Sequence, residues 1–157
     1  MIEPSASVPS LLAAHRRIAL DSNVLIHLLE DDGARAETAA AIIDAIALGD
    51  AEGVISSLGV LETLVGPAQA GDAARFELVA AAIGDLGLGI VPLDAELAAD
   101  AAWIRGRSLV GLPDAIHLAT ARAAGATVLV TNDRRLRSRA RLEVVYLDDL
   151  AGDALAP

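Results

Sequence analysis

The chain contains no cysteine and no lysine. Without cysteine it has no disulfide, no thiolate-ligated zinc and no thiol nucleophile, which fits a reducing compartment. Without lysine it cannot form a Schiff base or complete a P-loop, and its 12 basic residues are all arginine. Aromatic residues make up only 2% of the chain. The lone Trp103 therefore reads as a packing residue rather than a stacking platform for bases. No apolar run is long enough to cross a bilayer. The LLAA stretch in MIEPSASVPSLLAAHRR is too short for the core of a signal peptide. These absences predict a cytoplasmic protein with no membrane segment. Positive charge is also scarce: the net charge is −10, which argues against broad non-specific binding to nucleic acid. A local basic patch could still steer a substrate.

What is present is a chain of 157 residues that is 54% hydrophobic, enough for one domain with a sizeable core. Residues 1–17 contain Pro and Ser without periodicity and read as a mobile leader. The domain proper spans 18–148, and 149–157 reads as a frayed tail. Short apolar runs at 18–20, 54–56, 90–93, 127–130 and 144–147 read as buried strands. Helical periodicity marks roughly 34–48, 72–84 and the stretch from Asp94 to about Arg105. A helix bearing Glu62 should stop near Gly66 and Pro67, and DAIHLATARAAG should start at Pro113 and close at Gly125. A short Arg-rich helix is expected after Asp133. Strands alternating with helices predict an α/β fold, a central parallel sheet of about five strands flanked by helices.

Four acids stand where strands hand over to helices, or inside the helix that follows. They are Asp21 in IALDSNVLI, Glu62 in ISSLGVLETL, Asp114 in GLPDAIHLATA and Asp133 in VLVTNDRRL. Each has a structural explanation of its own. Asp21 and Asp114 suit helix starts, Asp133 suits an Asx turn, and Glu62 could face solvent. Their coincidence at one predicted sheet edge is the stronger signal, because ligands of open α/β sheets bind outside the carboxyl ends of the strands. Carboxylates gathered there repel one another, and the usual remedy is Mg²⁺ or Mn²⁺. Such a site activates water for attack on a phosphate ester.

DSNVLI, the isolated acid in SSLGVLETL, and LPDAIHLATARAAGATVLVTND resemble, in order and spacing, the PIN domain family over roughly residues 18–148. The segment from Pro113 to Asp133 is the most specific part. The resemblance implies a Rossmann-like sheet and a metal-dependent endoribonuclease that leaves 5′-phosphate and 3′-hydroxyl ends. It assigns Asp21, Glu62, Asp114 and Asp133 to catalysis and metal binding. Small single-domain members are often VapC-type toxins, which implies a VapB-like antitoxin partner, an RNA substrate and a homodimer. The leader is the main departure, since family members usually reach the first acid within a few residues.

Neighbouring residues complete the expected site. Ser22, Thr131 and Asn132 match polar positions of the family, and Asn23 could orient a metal-bound water or cap a helix. His117, one turn after Asp114, could touch substrate, with a half-buried structural role as the plainer reading; His27 reads as structural. The run 134–141 holds five arginines, of which Arg134, Arg135 and Arg137 are candidate RNA contacts, a solvated face being the alternative. A receiver-type phosphoacceptor needs a lysine, and a haloacid-dehalogenase-type phosphatase needs a second Asp where Asn23 stands. A PIN-like binding module without catalysis, or a nuclease with no antitoxin, are the remaining alternatives.

Overall fold

A computed structural model describes residues 6–30, 33–139 and 141–151. Its centre is a five-stranded sheet in the order β3-β2-β1-β4-β5, with every pairing parallel. The strands are β1 (Arg17–Leu20), β2 (Glu52–Ser56), β3 (Gly89–Val91), β4 (Val128–Thr131) and β5 (Glu143–Tyr146). Two helices fill each of the first three crossovers. They are α2 (Ser22–Glu30) with α3 (Ala34–Ala47), α4 (Ser57–Gln69) with α5 (Ala73–Asp85), and α6 (Ala95–Arg107) with α7 (Leu112–Ala123).

The two-residue period of the strands divides the core between the two faces of the sheet. Ile18, Leu20, Val128 and Val130 point to the α2–α3 side and meet Val24, Leu25, Ile42 and Ile46. Ala19, Leu129 and Val144 point the other way and meet Leu118 and Ala121 of α7. Both faces are covered, so β1 and β4 are apolar almost throughout. From β1 the chain builds outward to β2 and β3, then returns to place β4 on the other side of β1. The reversal opens a crevice between the carboxyl ends of β1 and β4, the position where α/β sheets bind ligands.

Several expectations from the sequence change. Part of the stretch read as a leader is a helix, α1 (Val8–Ala14). Ser7 and Ser10 form a reciprocal capping box at its start, and Leu11 is buried in the core with Val8 and Leu12 packed beside it. Seven residues are too few to show a period. His15 then reaches Thr127 and Glu143, each at 2.8 Å. Helix α4 does not stop at Gly66 but runs to Gln69 with Pro67 inside it. Pro67 lies in the last turn, so it removes one bond, and Ala70 N–H still reaches the Gly66 carbonyl at 3.0 Å. No helix follows Asp133: the chain turns and then runs without regular structure to an isolated bridge at Arg139. Asp133 starts that turn by accepting the Arg135 N–H at 2.9 Å, as an Asx turn does. Leu147–Leu150 forms a last short helix, α8, with Leu147 and Leu150 buried; residues 152–157, expected as a frayed tail, lie outside the described residues, as do residues 1–5 of the leader. Trp103 is 61% exposed on α6 with the Arg107 guanidinium 4.5 Å from its ring centre, so it does not pack in the core. Among the described residues, no helix is long and apolar enough to cross a membrane.

One glycine sets how closely α4 approaches its surroundings. A Cβ on Gly59 would lie 2.7 Å from Ile55 Cγ1 and 3.4 Å from His117 Cε1. Alanine would gain about 1 kcal/mol of helix propensity, but overpacking beside a fully buried Ile55 costs about 1–3 kcal/mol. Gly59→Ala should therefore lower stability in a urea melt; an unchanged or raised midpoint would show that α4 can shift freely.

Candidate active site

Asp21 is the first residue after β1, and its N–H extends the ladder to the Val130 carbonyl at 3.0 Å. Its carboxylate is directed into the crevice and is 5% exposed. Three neutral donors hold it. Thr131 Oγ1 donates to Oδ2 at 2.7 Å, Asn23 Nδ2 to Oδ2 at 3.0 Å, and Ser22 Oγ to Oδ1 at 3.2 Å. Asn23 also accepts the Asn132 N–H at 3.0 Å, so it bridges the ends of β1 and β4. This tie replaces the cap expected of Asn23: α2 already starts at Ser22. Asn132 accepts the Asp148 N–H at 3.1 Å, linking the crevice to α8. Thr131 Oγ1 accepts the Asp133 N–H at 3.0 Å. The polar residues named beside the acids thus form one network that fixes Asp21 and the Asp133 backbone.

Glu62 faces the crevice from α4, and between it and Asp21 stands His117. His117 is 2% exposed, with Nε2 2.7 Å from Glu62 Oε1 and 3.3 Å from Asp21 Oδ1. It is more buried than a substrate contact or a half-buried structural residue would be, and it serves both carboxylates. Nε2 carries the proton, as the acceptor at 2.7 Å requires, and Nδ1 is buried without a hydrogen-bond partner among the described residues. The hydrogen bond from His117 holds Glu62 below the usual carboxylate range, against the opposing effect of burial. For His117, burial works against the imidazolium, but the bond to Glu62 and the charges of Asp21, Glu62 and Asp114 outweigh it and raise its pKa.

Asp114 sits in the first turn of α7, one turn before His117. Burial, with repulsion from Asp133 and then Asp21, raises its pKa. Among the described residues, Asp114 and Asp133 are not part of the close group that Asp21, Glu62 and His117 form. Asp133 is held in a fork by Arg135, whose Nη2 and Nε lie 2.6 Å from Oδ2 and 2.9 Å from Oδ1. This bond lowers the Asp133 pKa. Arg134 turns away, pairing with Asp149 at 2.6 Å and lying over the Tyr146 ring at 4.2 Å. Arg137 is exposed on the loop beyond, and His27 is half-buried on α2.

Asp21, Glu62 and His117 each offer a donor atom, all within 4.8 Å of one another. Carboxylate oxygens suit Mg²⁺ and Mn²⁺, whereas His117 could join them only after Nε2 gives up the proton it donates to Glu62. Sequence reasoning named all four acids but missed His117 as the shared partner of Asp21 and Glu62 and Arg135 as the counter-charge of Asp133. The helical spacing of Asp114 and His117 was the available signal; nothing local pointed across to Glu62.

A parallel α/β sheet with an acidic crevice at its switch point defines the class of protein. The PIN domain family model matches residues 18–142, and the chain belongs to that family. No curated relative matches it. Among solved structures, VapBC2 from Rickettsia felis bound to a promoter DNA fragment has a similar fold, with TM-score 0.67 and 16% identity over 83% of this chain and 98% of that one. DNA-bound VapBC from Salmonella typhimurium gives 0.61 and 22% over 83% and 98%. VapC20 from Mycobacterium tuberculosis, a sarcin–ricin loop cleaving toxin, gives 0.56 and 19% over 71% and 86%.

The raised His117 pKa predicts how metal-free stability depends on pH. A group whose pKa is raised on folding stabilises fully below its unfolded value, near 6.5, and loses that contribution as pH rises through the folded value. The melting temperature of the metal-free protein should fall as pH rises above 6.5. His117→Gln should flatten this fall. Equal slopes for the two proteins in a thermal-melt series would show that His117 does not carry the charge.

Proposed function

We propose that this chain is a Mg²⁺- or Mn²⁺-dependent endoribonuclease, the toxin of a type II toxin–antitoxin pair. The observation that carries the reading is the close approach of Asp21, Glu62 and His117, with donor atoms within 4.8 Å of one another, in a chain of the PIN family. The donor set fits a divalent cation. Asp21, Glu62, Asp114 and Asp133 would hold it, with His117 bracing the first two. When bound, the ion supplies an acidified water and charge stabilisation for a phosphoryl group.

The chain's own residues prepare the site for that chemistry. Thr131, Asn23 and Ser22 fix the Asp21 carboxylate, so its geometry does not depend on what enters the crevice. Asp114 carries the unrelieved repulsion, and a cation there would favour its ionised form. Asp133 is already paired with a cation, Arg135, whose side chain is 83% exposed and free to leave. No side chain is required as a nucleophile.

VapC20 cleaves an RNA loop, and VapBC complexes of Rickettsia felis and Salmonella typhimurium share the fold. Both support an RNA substrate and a VapB-like antitoxin. An antitoxin segment carrying arginine would find complementary charge at the crevice. Exposed Trp103 on α6 and Leu112 on α7 support a homodimer, and the reading puts the protein in the cytoplasm.

The decisive measurement is RNA cleavage with and without Mg²⁺. Wild type should cleave only with the metal, and Asp21→Asn should lose more than about 100-fold in kcat/KM with an unchanged circular dichroism spectrum. A variant as fast as wild type would remove Asp21 from the site. Co-expression with the adjacent small gene should yield a co-purifying complex that does not cleave; two proteins that separate would withdraw the toxin assignment and leave the nuclease. Light scattering should find a dimer at micromolar concentration, and a monomer would count against it.

A further inference from the structure

One charged feature remains unused by this reading. A groove runs beside the acidic crevice, between the α6–α7 connector and the loop after Asp133. Leu109 and Gly111 form one wall, and Arg135, Arg137 and Arg139 the other, with Asp114 also lining it. Because Asp114 belongs to both, the groove opens onto the candidate site.

The contacts of Leu136 and Ser138 fix the loop beside the groove. Leu136 is fully buried. Ser138 Oγ accepts the Val144 N–H at 2.9 Å, pinning the loop to β5. Arg137 and Arg139 are exposed and line the groove. Arg134 and Arg135 are occupied by Asp149 and Asp133. The guanidiniums of Arg137 and Arg139 have no partner among the described residues. Both line one groove beside the acidic crevice, on a protein of net charge −10.

We propose that this groove guides single-stranded RNA to the acidic site, with Arg137 and Arg139 each contacting a backbone phosphate. The proposal rests on the ribonuclease reading above and adds to it which arginines bind and from which side the strand enters. A polyanion fits better than an acidic protein because the occupant must continue past Asp114, a wall residue that repels carboxylates but suits a phosphate brought in with a cation. The exposed Leu109 at the rim offers apolar surface to a base.

The test is cleavage of a 12-nucleotide single-stranded RNA in Mg²⁺ by wild type, by the double variant Arg137→Gln/Arg139→Gln, and by Arg122→Gln on the exposed end of α7 as a control. The double variant should raise KM about tenfold with kcat kept within about twofold. Each lost phosphate contact should make the dependence of log kcat/KM on log salt shallower by about 0.7, hence by about 1.4 for the pair. The control should match wild type. An unchanged KM and salt slope in the double variant, with wild type active, overturns the groove and leaves the nuclease standing. So does a loss confined to kcat. An unchanged KM with weaker retention of the co-expressed antitoxin would overturn it by assigning the groove to the protein partner. A wild type that cleaves no RNA under any metal condition overturns both readings.

Discussion

The Asp21 carboxylate is almost wholly removed from water, and a buried carboxylate without partners would cost several kcal/mol. The end of the sheet is arranged to supply those partners. Thr131 comes from β4, Ser22 and Asn23 from the first turn of α2, and His117 from α7. Each arrives from a different element, so the network exists only when β1 and β4 lie side by side and α7 covers them. The same network ties the strand ends together through Asn23 and Asn132. Fold and site therefore support each other: the sheet brings the donors to Asp21, and their bonds close the crevice.

A second consequence of concentrated negative charge is the recruitment of cations from within the chain. His117 lies between Asp21 and Glu62, and Arg135 grips Asp133. These two counter-charges differ in kind. His117 is buried and held on both sides, whereas Arg135 is largely exposed and bound only to Asp133. Desolvation makes the first contact strong, and solvent screening makes the second weak. Asp114 has no such partner among the described residues, and burial, with repulsion from Asp133 and Asp21, raises its pKa. The acidic surface is thus balanced unevenly, with the residual charge at the mouth of the crevice, beside the groove that holds the unpaired arginines.

Glycine and proline show how packing overrides local rules. Pro67 is a helix breaker by sequence, yet α4 passes through it because only one bond is lost in the last turn. Gly59 weakens a helix by propensity, yet its missing Cβ leaves the space taken by Ile55 and lets α4 lie close to His117. The seven residues of α1 have too little period to be recognised, but Leu11 finds a place in the core and the capping box secures the start.

The sequence by itself determined the strands and the four acids. Buried parallel strands need unbroken apolar runs, and an acid directly after such a run, as at Leu20–Asp21, or in the helix that follows, is a local signal. It also determined the order of elements along the chain, but the sheet order, and with it the switch point between β1 and β4, came from the tertiary structure. Only the tertiary structure decided how the charges pair. His117 meets Glu62 across 55 residues, and Arg134 goes to Asp149 while its neighbour Arg135 goes to Asp133. The run of arginines looks uniform in sequence, but the bond from Val144 to Ser138 and the burial of Leu136 fix the loop that carries it. Strand and helix formation are governed by neighbours within a few residues. Pairing of side chains depends on which surfaces the crossovers bring together, and no local pattern encodes that.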